Sequence, residues 1–488
     1  MQKEILDKYE AIIGLEVHTQ LLTHSKAFSS DINEFGAAPN THISAITLAH
    51  PGTLPVLNQA IIDKAIMLGS ALNCTIRKEN FFARKNYFYA DLPKGYQITQ
   101  DKTPICTDGH IIFEVKNDKG DTYEKYVGIT RIHSEEDAGK SMHDIDPFFT
   151  LIDLNRAGVP LLEIVSEPHI TTAQEAYQFL TEIRKLVRYL DVCDGNMEEG
   201  SLRCDVNISV KLKDNEKWGT KVEVKNMNSM RNVKKAIEYE IDRQINLLEA
   251  GSIVQKETRT YDANNNTTLA LRSKEDAHDY RYFPEPDLPP VVISQDYIQN
   301  IQSRMPLLPK ALITKFMNEY GLSKYDALLL AEDKHFAQYY EDIVQHYNNK
   351  KVAANWMNGI IKNYLNEKAI DIQQFIIPAI KIAELLQEIE KGTISNTVAS
   401  STIFIELLSS PNRNVLEIAN DKNVLQNSNE ESIQKIINEV LIAMPEKVEE
   451  YRAGKKGLIG LFVGEVMKKS GAQADPKVVN QLLNKILN

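Results

Sequence analysis

Apolar and polar positions alternate strictly along several stretches of the chain before Ile293. Leu202, Cys204, Val206, Ile208 and Val210 fall on one side of their stretch, and Arg203, Asp205, Asn207 and Ser209 on the other. A period of two predicts a β-strand with one buried face. After a turn-rich interval at Asp214, Asn215 and Gly219, the pattern resumes. Val222 and Val224 face one way, Lys221, Glu223 and Lys225 the other, so the two stretches predict an antiparallel hairpin. Tyr9 to Leu22 repeats the arrangement, with Ile13, Leu15, Val17 and Leu21 opposite Gly14, Glu16, His18 and Gln20. Phe149–Arg156 and Pro160–Glu167 read as a second hairpin turning at Asn155–Gly158. Helical spacing over Asn58–Asn73, Thr172–Leu190 and Asn232–Glu249 predicts helices packed on the sheet.

The prolines that close Ala270–Ile293 mark the strongest domain boundary. Beyond Ser294 the period changes to helical, over Leu312–Tyr320, Tyr325–Ala331, Phe336–Tyr347, Val352–Leu365 and Ile380–Ile389. Another helical unit begins near Ser410, and Asp475-Pro476 opens its last helix, with Val479, Leu482, Leu483 and Ile486 facing inward. The expected fold is α+β: a mainly antiparallel-sheet domain over 1–294, an all-α domain over 295–409 and a small helical tail over 410–488.

At 488 residues the chain is too long for one core. A net charge of −11 excludes a basic nucleic-acid coat, so any RNA partner must meet a local basic surface. Lys455-Lys456 and Lys468-Lys469, beside glycines in the tail, are candidates for such contacts. The four cysteines form no C-x-x-C pair. No secretory signal and no apolar run of the roughly 20 residues that a span requires is evident, so a cytoplasmic protein without a membrane partner is expected.

Acids from separate strand-like segments are the candidate chemistry: Glu16, Glu136 (or its neighbour Glu135), Asp205 and Glu223, joined by His18. If the strands are neighbours, one sheet face could hold Mg²⁺, which takes oxygen ligands and keeps waters for a substrate phosphate. Lys85 and Arg203 would neutralise a transferred phosphoryl group. The competing reading is a solvated sheet face without function. RKNYFYADLPKGYQITQ interleaves cations with aromatics, which suits a nucleotide or an RNA end as well as a core. AGKS lacks the leading Gly of a phosphate loop, and no G-x-G-x-x-G occurs.

GLEVHTQL, KNYFYADLPKGYQITQ, RIHSEEDAGKS, DLNRAGVPLLEIVSEP, GNMEEGSLRCDVNIS, EVKNMNS and DYRYFPEPDLPP strongly resemble the B subunits of aspartyl/glutamyl-tRNA amidotransferases, the GatB family, from Tyr9 to the last helix. Ala90, His169 and Leu271 depart from the usual Pro, Asp and Met of that family. The resemblance implies a glutamine synthetase-like cradle domain, a helical domain and a YqeY-like tail. It implies Mg²⁺ on Glu16, His18, Glu136, Asp205 and Glu223. Lys85, Glu136 and Arg203 are then the catalytic candidates, and Lys85, Arg203 and Lys221 the cations for ATP. The implied activity is ATP-dependent phosphorylation of the side-chain carboxylate of Glu-tRNA(Gln) or Asp-tRNA(Asn), followed by amidation. No amidase or glutaminase signature is evident, so ammonia is expected from an A-type amidase subunit, joined by a small C-type subunit in a heterotrimer. Rival readings are an RNA-binding scaffold and a self-sufficient ligase using free ammonia.

Overall fold

The computed structural model describes residues 3–117, 119–271, 279–426, 430–471 and 474–487. It divides into two compact units, Met1–Leu308 and Pro309–Asn488. The first is built on a sheet with twelve strands among the described residues. Along its main path the strands lie in the order Thr267–Ala270, Thr258–Asp262, Val222–Lys225, Leu202–Leu212, Tyr9–Gln20, Pro160–Ser166, Thr122–Glu136, Tyr96–Thr99, Ala83–Asn86 and Phe283–Pro284. All neighbours on this path run antiparallel except Val222–Lys225 with Thr258–Asp262, which are parallel. The unit is therefore α+β around one large, mainly antiparallel sheet.

Alternation sorts the two faces as expected. Ile13, Leu15 and Val17 join Cys204, Val206, Ile208 and Val224 in one core with residues of the helices Gln59–Ala71, Ala173–Tyr189 and Met230–Glu249. Caps fix where these helices start. Asn58 Oδ1 accepts the Ala60 N–H, Thr172 Oγ1 that of Glu175, and Ser229 Oγ that of Asn232, each satisfying a donor that the first helical turn leaves unpaired. The reading from sequence ends this domain at Ser294, but the helix Gln295–Ser303 belongs to it, since Ile298 and Ile301 lie in the same core.

The second expected hairpin does not form. Gly158 does take a positive φ of 82°, as a turn there requires. Yet Leu151–Asp153 pairs with Lys140–Met142 in a separate ribbon, while Pro160–Ser166 enters the main sheet between Tyr9–Gln20 and Thr122–Glu136. The turn forms, but its two arms take different partners: Leu151–Asp153 a nearby upstream strand, and Pro160–Ser166 strands more remote in sequence.

The second unit is helical among its described residues, from Pro309–Asn318 to Pro476–Leu487. Ser323 caps Lys324–Leu330 by accepting the Asp326 N–H. Val352–Leu365 forms as a continuous helical run that includes a π-helical turn at Met357–Ile361. Toward the C-terminus, Ile433, Ile437, Phe462, Val466, Val479 and Leu483 make a core of their own. Among the described residues no helix is long and apolar enough to cross a membrane.

Candidate metal centre on the polar sheet face

Strand register determines which polar side chains meet. Asp205 stands opposite Glu16, Arg203 opposite His18, and Asn207 opposite both Gly14 and Glu223. On the other side of the first strand, His18 pairs with Glu163, which in turn pairs with His133. Arg203, His18, Glu163 and His133 thus form one row across four strands. The next row brings Leu161 opposite Glu135.

Two clusters result. In the first, ligand atoms of Glu16, Asp205 and Glu223 all lie within 4.8 Å of one another. Lys225 Nζ bridges two of them, 2.7 Å from Asp205 Oδ2 and 2.9 Å from Glu223 Oε1. Asn207 Nδ2 donates to Glu16 Oε1, and Thr258 Oγ1 to Glu223 Oε2. Burial, then the charges of Glu163, Glu223 and Asp205, raise the Glu16 carboxyl above its ordinary range despite the Asn207 hydrogen bond. Burial acts in the same direction on Glu223, but Lys225 and Thr258 outweigh it and lower that carboxyl. Crowded carboxylates of this kind are stabilised by a cation. Lys225 supplies one here.

The second cluster joins His18, Glu135 and Glu163, again within 4.8 Å. His18 Nε2 lies 3.2 Å from Glu163 Oε2 and 3.6 Å from Glu135 Oε1. His133 Nε2 approaches the same two acids at 3.4 and 3.7 Å, and its buried Nδ1 has no hydrogen-bond partner. Burial pulls the His18 imidazole down. The hydrogen bond to Glu163 and the charges of Glu135 and Glu163 more than offset it and hold it at about 9. Glu163 is pushed up by burial, but His18, His133 and Arg131 bring it well below the usual carboxylate range.

The structure therefore separates the five expected ligands. Glu16, Asp205 and Glu223 meet; His18 belongs to the other cluster, with Glu135 and Glu163. Glu136 joins neither. One residue along a strand reverses the face, and Glu136 instead pairs with Lys94 and accepts the Ile98 N–H at 2.9 Å. Glu135, Glu136 and Asp137 are all buried, each against a polar partner, although three consecutive acids and a Lys look too polar for an interior. Arg203 Nη2 reaches Asp137 Oδ2 at 2.9 Å, where Gln20 Nε2 also donates. Lys221 is exposed, and its charge helps to lower Glu223. Lys85 lies apart, its Nζ 4.8 Å from the centre of the Tyr280 ring. Glu163, His133 and Lys225 were missed as site residues. His133 and Glu135 were readable in principle, because Arg131, His133 and Glu135 keep the period of two.

Each cluster brings three possible ligand atoms close enough together to hold one divalent ion. The first is all oxygen, which suits a hard ion such as Mg²⁺. The second mixes one imidazole with two carboxylates and suits a wider range of ions.

Comparison with known proteins agrees in extent as well as in family. A family model described as the GatB/GatE catalytic domain matches residues 11–299, and one described as the GatB domain matches 338–487. A protein of Burkholderia cenocepacia is 48% identical over 488 residues, covering 98% of this chain and 99% of its own length. Relatives from Thermosynechococcus vestitus (47%, 98% of this chain, 97% of its own) and Syntrophotalea carbinolica (45%, 98% and 99%) are equally extensive. All three are named as the B subunit of aspartyl/glutamyl-tRNA(Asn/Gln) amidotransferase.

Proposed function

The chain belongs to the GatB/GatE family, as a B subunit of tRNA-dependent amidotransferases, and from that premise we propose that its polar sheet face is a kinase site for an aminoacyl group. The observation that carries this reading is the convergence of two acidic clusters on adjoining rows of one sheet face. Mg²⁺ held by Glu16, Asp205 and Glu223, with a second ion on His18, Glu135 and Glu163, would offset the charge of ATP and polarise its phosphates.

Around those ions the chain's own groups have separate tasks. Arg203, anchored on Asp137, keeps a guanidinium beside His18 for a phosphate oxygen. Asn207 and Thr258 orient the carboxylates of Glu16 and Glu223. Lys225 neutralises the first cluster between turnovers. The substrate's side-chain carboxylate oxygen attacks the γ-phosphorus of ATP and ADP leaves. Ammonia then attacks the acyl carbon, and phosphate departs as the new amide loses a proton. A glutamine synthetase-type ancestry of the sheet would suit this sequence of steps.

The relatives' name makes each of them one part of a larger enzyme. It fits a cytoplasmic heterotrimer in which an A-type amidase subunit supplies ammonia and a small C-type subunit is the third member. Glu-tRNA(Gln) and Asp-tRNA(Asn) are the proposed substrates, gripped in part by the tail. There Lys456 lies 4.3 Å from the Tyr451 ring centre, and Lys455 and Lys469 pair with Glu450 and Glu439.

Phosphate release by the assembled complex, with ATP and Glu-tRNA(Gln), tests the proposal. Glu135→Ala is expected to abolish release while tRNA binding persists. Unchanged turnover would leave only an RNA-binding scaffold.

A further inference from the structure

The turn at Asn155–Gly158, which closes no hairpin, straps a second turn instead. That second turn is Asp137–Gly139, where the strand Thr122–Glu136 ends. Main-chain bonds close the two on each other: the Asp137 N–H donates to Val159 O at 2.8 Å, and the Gly158 N–H to Asp137 O at 2.9 Å. Arg156 then folds over the same turn. Its Nε donates to Ala138 O at 3.1 Å and its Nη2 to Gly139 O at 2.6 Å. Gly139 is hemmed in as well, since a Cβ there would lie 2.9 Å from both Asp91 O and Asp153 O. The main chain of this turn therefore has little room to shift.

What the turn carries is the buried carboxylate of Asp137. Its Oδ1 accepts the Ala138 N–H at 3.0 Å. Its Oδ2 accepts Arg203 Nη2 at 2.9 Å and Gln20 Nε2 at 3.0 Å, and Arg156 Nε lies 3.7 Å away. One carboxylate is thus shared between two guanidiniums. The two are committed differently. Arg156 spends its donors on carbonyls of the turn, whereas Arg203 stands opposite His18, and its charge acts on that imidazole. A guanidinium offers five N–H donors in a rigid, planar fork, so the direction in which Arg203 presents them depends on where Asp137 is held.

We propose that Arg156 is a positioning residue for the polar sheet face: it fixes the Asp137–Gly139 turn, and through Asp137 the guanidinium of Arg203. This role rests on the kinase reading, in which Arg203 meets a phosphate oxygen; Arg156 itself touches no substrate. A misplacement of 1 Å near reacting atoms costs about a hundredfold in rate. Arg156→Gln is accordingly expected to lower kcat for phosphate release by about tenfold or more, in the assembled complex with ATP and Glu-tRNA(Gln), and to change the KM for ATP less. Arg156→Lys keeps the charge but not the fork across two carbonyls, so it is expected to fall with Arg156→Gln. Wild-type kcat in either variant, with Arg203→Gln impaired, overturns the role.

Combination with Arg203→Gln separates positioning from mere support of the fold. Acting through Arg203, Arg156→Gln should cost nothing further in the double variant, whose kcat then equals that of Arg203→Gln alone. Urea midpoints of the same three variants should show stability losses that fall short of their sum. Independent losses, multiplying in kcat and adding in stability, overturn the proposal and leave the kinase reading in place. Coupled stability losses, with Arg203→Gln turning over like wild type, would instead count against the kinase reading and leave Arg156 as the residue that holds Arg203.

Discussion

Glu16 and Asp205 stand directly opposite one another on adjacent antiparallel strands, two carboxylates sharing one face of the sheet. Like charges so placed destabilise a sheet, and here Glu223 adds a third. The arrangement persists because neighbouring groups compensate it: Asn207 toward Glu16, Lys225 toward the other two. A site that holds its acids this close is strained toward binding a cation.

Glu16→Gln removes one charge of the three while keeping an oxygen for Asn207. In chelator, the variant is expected to be more stable than wild type by about 0.5 kcal/mol, read from urea midpoints. The sign follows from the raised Glu16 carboxyl. Its cost is fully present above the folded-state value and vanishes below the unfolded one, so the difference should close as pH falls. A destabilised variant at neutral pH would refute the repulsion. Mg²⁺ should stabilise the variant less than wild type.

Lys225→Met should do the opposite. Burial would lower this lysine, but Asp205 and Glu223 raise it above its ordinary range. Its side chain is 36% exposed, so screening limits the loss to about 1 kcal/mol in chelator. Added Mg²⁺ no longer has to displace an ammonium, and titration calorimetry should show tighter binding than in wild type. Weaker binding would make Lys225 part of the ion's support rather than its substitute.

His18 held at about 9 is protonated at neutral pH, and an imidazole must lose that proton to bind a metal. Metal uptake at the second cluster should therefore release close to one proton at pH 7.5, measured by calorimetry in buffers of different ionisation enthalpy. His18→Asn should remove the release. In the metal-free protein the same shift stabilises the fold. That contribution is complete below about pH 6.5, the free value, and is lost as pH rises through 9.

Glu135→Ala and Glu136→Ala separate the two neighbours. Glu136 is buried with Lys94, so its removal should cost about 3–5 kcal/mol and leave metal affinity nearly unchanged. Glu135→Ala should weaken metal binding with the smaller effect on thermal stability. Reversed results would place Glu136 on the ion after all.

The first cluster was legible in the sequence because Glu16, Asp205 and Glu223 each sit at an outward position of an unbroken alternation, and the strands that carry them are neighbours. The second was less so. His18 was visible, but Glu163 lies between Ile164 and Leu162 in an apolar run, PLLEIV, where nothing local marks a ligand. The choice between Glu135 and Glu136 is a matter of strand phase, which a run of three acids hides. Gln97 shows the same limit. It lies on the strand between Lys85 and the acids, and only pairing across the sheet reveals it. The failed hairpin has this cause too, since a turn residue reports its own backbone and not the strand's eventual partner.

The strand Tyr9–Gln20, made first, ends in the middle of the sheet, between Pro160–Ser166 and Leu202–Leu212. Asn207 and Glu16 are 191 residues apart. At ribosomal speeds of about 5–20 residues per second, that strand waits roughly 10 to 40 s for its second neighbour. For that interval a nascent chain carries Ile13, Leu15 and Val17 on an unpaired edge, a segment that a holding chaperone would grip before any acid on it could meet its ion.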